Sequence, residues 1–200
     1  MKKIIMLSVL AILTASVTLA AGYKVGDKVE DFRLQNVDGK YVSLSDYPDA
    51  KGFIVAFTCN GCPYAVAYQD RIIELDNKYK AKGYPVIAIN PNDTGQAPDD
   101  DLENMRKRAD SKGYTFPYLK DASQEVYRTF GAERTPHMYV LTKAGEDFVV
   151  SYVGAIDDNY QDASAVKEPY LANAVNALLA GNQPEPNYTK AIGCGIKAKK

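Results

Sequence analysis

The order of hydrophobic and polar positions along the chain predicts alternating strands and helices. Short runs that are alternately or continuously apolar, as is typical of strands, cover residues 31–34, 41–44, 52–57, 85–90, 116–119, 137–141 and 147–153. Apolar positions at helical spacing cover residues 62–80, 99–112, 124–130 and 166–179. The pair Asp38-Gly39 between the first two runs is a hairpin signal. The pattern predicts an α/β fold: a central mixed β-sheet flanked by helices, with an extra N-terminal β-hairpin.

The first residues of the chain have the layout of a secretory signal. Lys2 and Lys3 precede an almost wholly apolar run at 4–19, and small residues follow at 18–21. The run is short for a bilayer span, which needs about 20 residues, and no second candidate follows in the sequence. We therefore expect a signal peptide at 1–21, a mature chain without a transmembrane span, and export to the periplasm or another extracytoplasmic space.

The length that remains predicts one domain at 22–181, followed by an irregular C-terminal tail at 182–200 that carries Cys194. The sequence has 24 basic and 25 acidic residues, a formal net charge of −1, and no basic block before its last few residues. This charge pattern argues against nucleic acid as a partner. The acidic run at 99–101 is expected to be a solvated helix start.

Two of the three cysteines, Cys59 and Cys62, lie where a predicted buried strand meets a predicted helix. The helix dipole favours negative charge at this end, and hence thiolate over thiol at Cys59. Two intervening residues place the sulfurs within disulfide reach, so that one can attack and the other resolve. We expect a redox-active Cys59–Cys62 disulfide and no other cofactor, while a metal site and a purely structural disulfide remain alternatives.

A second signal is the Thr135-Pro136 pair, which stands immediately before a predicted strand. Because it has both the Cys59–Cys62 pair and Thr135-Pro136, the sequence resembles the thioredoxin superfamily. In that superfamily a Cys-x-x-Cys pair begins the first long helix and a cis proline faces that pair. More narrowly, the chain resembles exported peroxiredoxin-like proteins of the alkyl hydroperoxide reductase and thiol-specific antioxidant (redoxin-type) group. The residues that carry this resemblance are 57–64, 88–93, 116–121, 127–136 and 192–194.

The resemblance implies a thioredoxin fold and an enzyme that exchanges disulfides with protein substrates through Cys59 and Cys62. Cys59 would attack and Cys62 would resolve, while Thr135 and Pro136 would form the substrate-facing backbone. The implied partners are protein thiols or disulfides, or a membrane or periplasmic thiol reductant. Cys194 is an auxiliary candidate that could resolve a disulfide at the site, because the glycines on either side of it give the tail the mobility that a resolving cysteine needs.

The resemblance also leaves a thiol peroxidase open. Peroxiredoxins carry Thr-x-x-Cys with an upstream proline, and this pattern would make Cys62 the peroxidatic cysteine. Here Cys59 stands where the threonine should be and the upstream proline is absent, so disulfide exchange is the favoured interpretation. Arg134 is a further auxiliary candidate, because its charge could hold a thiolate.

A third interpretation is a copper- or other metal-binding protein of thioredoxin fold that uses Cys59, Cys62 and His137. Thiolates with an imidazole suit copper. The copper-handling proteins of this fold space their cysteines by three residues, however, whereas the gap here is two. We therefore favour no metal, and a structural role for His137.

Overall fold

The computed structural model describes residues 22–200, so the predicted signal peptide lies outside the described residues. The described strands are β1 (Lys28–Val29), β2 (Arg33–Asn36), β3 (Tyr41–Ser43), β4 (Gly52–Phe57), β5 (Val86–Asn90), β6 (Tyr118–Lys120), β7 (Arg134–Thr135), β8 (His137–Ala144), β9 (Asp147–Gly154) and β10 (Cys194–Gly195). The helices are α1 (Pro63–Tyr79), α2 (Leu102–Lys112), α3 (Glu125–Phe130) and α4 (Tyr170–Leu179). None of these helices is long and apolar enough to cross a membrane.

Eight of the strands form one mixed sheet, in the order β1-β9-β8-β4-β5-β6-β2-β3. Strands β4, β5 and β6 run parallel, and β8 pairs antiparallel with β4 and with β9. The predicted N-terminal hairpin is β2–β3, which extends the sheet by antiparallel pairing of β2 with β6. The predicted mixed α/β architecture is confirmed.

The central strand β4 is apolar throughout because both of its faces are covered. Ile54 and Ala56 face a layer that contains residues of α1 and α4. Phe53, Val55 and Phe57 face the opposite layer, which contains residues of α3 and of the N-terminal strands. Residues that alternate along a strand point to opposite faces, so a strand between two helical layers reads as a continuous hydrophobic run.

The structure departs from the sequence prediction at a few places. Helix α4 begins at Tyr170 rather than at residue 166, because Pro169 stands at its N-cap. The two-residue strands β1, β7 and β10 are too short to give a periodic signal, and the sequence did not predict them. The tail is therefore not wholly irregular, since β10 pairs with β7 in a separate two-stranded sheet.

This architecture places the cysteines at one end of the sheet. Strand β4 ends at Phe57 and helix α1 begins at Pro63, so Cys59 and Cys62 lie on the short connection between them. The β7–β10 sheet covers the same end, since β7 immediately precedes the central strand β8. The loop that carries Cys59 and Cys62 therefore lies against the C-terminal tail.

Candidate active site

Cys62 is the N-cap residue of α1 and forms a disulfide with Cys194. Its backbone is extended, with φ of −76° and ψ of 124°, and Pro63 begins the helix, where a missing N–H costs no hydrogen bond. The Cα atoms of Cys62 and Cys194 are 5.9 Å apart across 132 residues of sequence. The expected Cys59–Cys62 disulfide is therefore not the one in this structure: the docked tail brings Cys194 to Cys62, and Cys59 remains a free thiol.

The thiol of Cys59 lies almost fully buried beside the disulfide. Its sulfur is 3.0 Å from the hydroxyl oxygen of Thr135, and the backbone N–H groups of Gly61 and Cys62 lie close enough to lower its pKa. Burial raises the pKa of Cys59, and the nearby carboxylate of Asp100 raises it too, while these donors lower it. The thiolate expected from the helix dipole is not favoured here, because the loss of water around the sulfur outweighs the donors.

Thr135 contacts both sulfurs of the Cys-x-x-Cys pair. Its hydroxyl faces Cys59, and its carbonyl oxygen lies 3.1 Å from the sulfur of Cys62. The contact with Cys62 is not a hydrogen bond, because a disulfide sulfur carries no proton. The Thr135–Pro136 peptide bond is cis, as the resemblance to the thioredoxin superfamily implied. The predicted Thr-Pro pair thus lies against the cysteines.

The tail binds alongside Thr135 as a strand. Cys194 pairs with Thr135 and Gly195 with Arg134 in antiparallel register. The guanidinium of Arg134 donates to the carbonyl oxygen of Gly193 at 3.0 Å. The side chain of Arg134, which the sequence proposed as a partner of a thiolate, is exposed and holds the tail instead.

The tail is also anchored to the domain on both sides of Cys194. Upstream, the amide of Thr189 donates to the carbonyl oxygen of Val153 at 3.0 Å. Downstream, the carbonyl oxygen of Lys197 accepts a hydrogen bond from the amide of Asp93 at 2.8 Å. Cys194 is therefore held near Cys62 by backbone hydrogen bonds as well as by the disulfide.

A buried carboxylate that the sequence analysis missed supports the loop after Cys59. Asp100 is 1% exposed. Its Oδ1 accepts hydrogen bonds from the backbone N–H of Asn60 at 2.7 Å and from the side-chain amide of Asn90 at 2.8 Å. Its Oδ2 accepts one from the side-chain amide of Asn92 at 2.8 Å. Three N–H donors compensate the buried negative charge.

The prediction that residues 99–101 form a solvated helix start is therefore wrong for Asp100, which is buried. It is right for its neighbour Asp101, which caps α2 by accepting from the amide of Asn104 at 2.7 Å. The signal that could have found Asp100 is the pair Asn90 and Asn92 at the end of buried strand β5, since polar groups at the carboxyl ends of parallel strands gather at one edge of the sheet.

Replacing Asp100 with asparagine is expected to lower the pKa of Cys59, because a negative charge near the sulfur is removed. In the oxidised protein Cys59 is the only cysteine not in a disulfide. The pH dependence of its alkylation by iodoacetamide, followed by mass spectrometry, should therefore move to lower pH in the variant. The matched control is Asp99→Asn, since Asp99 is exposed. An unchanged profile in Asp100→Asn would contradict the proposed effect of its charge.

His137 is buried on β8, where its ring is hydrogen-bonded to the backbone. Its Nδ1 accepts a hydrogen bond from the amide of Glu133 at 3.3 Å, and burial, with the charge of Arg134, lowers its pKa to about 4. Within residues 22–200 no group of three or more His, Cys, Asp or Glu side chains is arranged to hold a metal ion. The structure therefore does not gather Cys59, Cys62 and His137 into a set of ligands.

Comparison with known proteins identifies the family. A model of the AhpC/TSA family matches residues 25–157, which include β4, α1 and the Thr135-Pro136 pair. The chain belongs to the AhpC/TSA family. Cys194 lies beyond the matched residues, so this member of the AhpC/TSA family carries its third cysteine outside the part that defines the family.

Individual relatives of this AhpC/TSA family member are similar to it over about two thirds of the chain or more. The crystal structure of an uncharacterized conserved protein from Geobacillus kaustophilus has a TM-score of 0.81 and 36% identity, covering 90% of this chain and 95% of that chain. Thiol-disulfide oxidoreductase ResA of Bacillus cereus is 29% identical over 69% of this chain and 80% of its own length. The protein named Putative peroxiredoxin MT2597, from Mycobacterium tuberculosis, is 32% identical over 66% of this chain and 80% of its own length.

The fold itself is shared with thioredoxins. The exposed lipoprotein thioredoxin Etrx1 of Streptococcus pneumoniae has a TM-score of 0.50 and 24% identity over 60% of this chain and 87% of that chain. Together with the family match, these similarities confirm the predicted thioredoxin fold and an oxidoreductase of the thioredoxin superfamily.

Proposed function

We propose that this AhpC/TSA family member exchanges disulfides with protein thiols through Cys59 and Cys62, and that Cys62 is the sulfur shared by two alternative disulfides. One observation carries the proposal: Cys62 is bonded to Cys194 while the free thiol of Cys59 is packed in the same buried cluster. The similarity to Thiol-disulfide oxidoreductase ResA supports the same reaction class.

The internal step is an exchange among the three sulfurs. Cys59 loses its proton, and its thiolate attacks the sulfur of Cys62. The Cys62–Cys194 bond breaks, the Cys59–Cys62 bond forms, and Cys194 leaves as a thiolate that takes up a proton. The step needs no outside oxidant or reductant, and its product is the Cys59–Cys62 disulfide expected from the sequence. Because the pKa of Cys59 is raised, the step should become faster as the pH rises.

The docked tail favours Cys62 as the sulfur that bonds to an external substrate. The tail cysteine is attached to Cys62 while its backbone pairs with Thr135, and this is how a substrate strand beside Pro136 would lie. A protein disulfide would then be attacked by Cys62, and Cys59 would release the substrate by attacking Cys62. This order is the reverse of the one that the sequence motif implied.

Trapping experiments distinguish the two orders. A Cys59→Ser variant is expected to retain a substrate protein on Cys62 as a mixed disulfide, visible on a non-reducing gel and located by mass spectrometry. Cys62→Ser should retain none; capture on Cys59 in that variant would instead support the order implied by the motif. A double variant, Cys59→Ser with Cys194→Ser, is the control for competition by the tail. If the wild-type protein accelerates no protein disulfide reduction, the proposal fails as a whole.

A peroxidase is the second candidate, and the Cys62–Cys194 disulfide is the observation that favours it. The thiolate of Cys62 would be oxidised by a hydroperoxide to a sulfenic acid, releasing an alcohol or water. The thiol of Cys194 would then condense with the sulfenic acid, lose water and form the observed bond. Peroxide consumption by Cys59→Ser but not by Cys62→Ser would favour this function over disulfide exchange.

Export remains a proposal that rests on the sequence of residues 1–21. A signal peptide would place the protein where disulfides persist, consistent with a Cys62–Cys194 bond of the kind found in oxidising compartments. The proposed partners are then protein thiols or disulfides outside the cytoplasm, or a membrane or periplasmic thiol reductant. Mass spectrometry of the protein recovered from culture would test the cleavage, since the mature chain should begin near residue 22.

A further inference from the structure

The tail occupies the edge of β7 in the manner of a bound peptide. Cys194 and Gly195 pair with Thr135 and Arg134, and the amide of Ile196 donates to the carbonyl oxygen of Glu133 at 3.1 Å. Among the described strands, β10 is the only partner of β7. This edge of β7 can therefore form backbone hydrogen bonds with one extended segment at a time, and in this structure residues 193–196 are that segment.

The same segment is covalently held at its cysteine. The disulfide joins Cys194 to Cys62, and the amide of Cys194 lies 3.3 Å from the sulfur of Cys62. Arg134 holds the carbonyl oxygen of the preceding residue, Gly193. The segment thus combines a disulfide to Cys62 with pairing to the strand before Pro136, the two contacts that a peptide substrate of the proposed exchange would make.

The space at this edge is selective for the residue before the cysteine. A Cβ atom on Gly193 would overlap the carbonyl oxygen of Thr135 and lie 2.6 Å from its carbonyl carbon and 3.0 Å from the nitrogen of Pro136. These are backbone atoms, which cannot turn aside as the end of a side chain can. A Cβ atom on Gly195, by contrast, would have no heavy atom within 4 Å. The edge therefore excludes a side chain before the cysteine and tolerates one after it.

We infer that the edge of β7 is a binding site for an extended Gly-Cys-Xaa segment, and that the tail of this chain fills it until a partner protein presents the same segment. This inference rests on the proposed function and adds the substrate class. In the exchange, a thiol reductant first opens the Cys62–Cys194 bond, being itself oxidised to a disulfide, and the freed thiolate of Cys62 then attacks a disulfide sulfur of the partner's Gly-Cys segment. A bond forms between these two sulfurs, the partner's own disulfide breaks, and its other cysteine leaves as a thiolate that takes up a proton.

Peptides that copy residues 192–196 test the selectivity. The protein is the full chain with Cys59→Ser, Cys194→Ser and Gly193→Ala, in which Cys62 is the only cysteine and the overlap of residue 193 with Thr135 keeps the tail off the edge of β7. The substrates are the symmetric disulfides of Ile-Gly-Cys-Gly-Ile, Ile-Ala-Cys-Gly-Ile and Ile-Gly-Cys-Ala-Ile, and the rate of adduct formation on Cys62 is followed by intact mass. Each rate is divided by the rate of the same peptide with free glutathione, which corrects for the reactivity of the peptide itself.

The peptide with alanine before its cysteine should react more slowly than the other two, by about 10-fold or more, because overpacking against a backbone carries such a cost. The other two should agree within about twofold. Equal normalised rates for all three peptides would overturn the glycine requirement and leave the exchange reaction standing. Rates no faster than those of free glutathione for all three would instead count against Cys62 as the exchanging sulfur, and so against the proposed function.

A matched pair of tail variants tests the same site from the protein side. Gly193→Ala should displace the tail, so that the Cys62–Cys194 bond opens at a dithiothreitol concentration about tenfold lower than in the wild type. Gly195→Ala, one residue on the other side of Cys194, should match the wild type. A Gly193→Ala disulfide as resistant to reduction as that of the wild type would overturn the inference.

Discussion

Replacing Cys62 with serine is expected to reduce the rate of insulin disulfide reduction to that of the uncatalysed reaction. Cys62 belongs to the observed Cys62–Cys194 bond and to the Cys59–Cys62 bond that the internal exchange would form, so its loss removes both disulfides at once. The thiol of Cys59 cannot take its place, because it is buried and its pKa is raised by that burial and by Asp100. The measurement is the turbidity assay for insulin reduction with dithiothreitol as electron donor.

The matched control for this loss is Cys194→Ser. That variant keeps Cys59 and Cys62 and can still cycle between their dithiol and disulfide, so it should retain exchange activity. Near-wild-type turnover by Cys62→Ser would show that Cys62 is dispensable and would exclude the shared-sulfur mechanism. Equal loss in both variants would mean that the tail cysteine takes part in every turnover.

The largest expected effect on stability comes from Cys194→Ser under non-reducing conditions. The Cys62–Cys194 bond joins residues 132 positions apart, and closing so long a loop restricts the unfolded chain. We expect the free energy of unfolding to fall by about 2–5 kcal/mol in the variant. A Cys59–Cys62 bond formed in its place would close only a short loop and would recover little of this. Urea unfolding followed by far-ultraviolet circular dichroism measures the difference.

Reduction separates the effect of the bond from that of the side chain. In dithiothreitol neither protein has the disulfide, so the unfolding curves of Cys194→Ser and the wild type should coincide. A difference in the free energy of unfolding that persists after reduction would show that the serine itself lowers the stability. Equal stability before reduction would mean that the tail adds no constraint to the unfolded chain.

The elements that frame the site follow from local patterns in the sequence. The continuous apolar run of β4, between Gly52 and Phe57, requires a strand covered on both faces, and the helical spacing that follows it requires α1. The Thr135-Pro136 pair could be assigned to the site from its resemblance to a known family. Each of these signals is contained in a few neighbouring residues, and for that reason each could be found without the structure.

The partner of Cys62 could not be found in this way. Spacing favours Cys59, whereas Cys194 reaches the site because the tail forms backbone hydrogen bonds, which residues of almost any type can make. Asp100 was missed for a related reason. An acidic run reads as a solvated surface, and only the folded chain brings the N–H donors of Asn60, Asn90 and Asn92 around one of its carboxylates.

The two anchors of the tail have a consequence for the choice of reductant. Hydrogen bonds at Thr189 and Lys197 hold the chain on either side of Cys194, so opening the disulfide frees a short loop rather than the whole tail. The reduced Cys194 thiol would stay beside Cys62 at an effective concentration in the millimolar range or above. A dissolved thiol would have to compete with that local concentration. A protein that binds to the edge of β7 raises its own effective concentration in the same way. The anchored tail therefore favours reductant proteins that bind at this edge over small-molecule thiols.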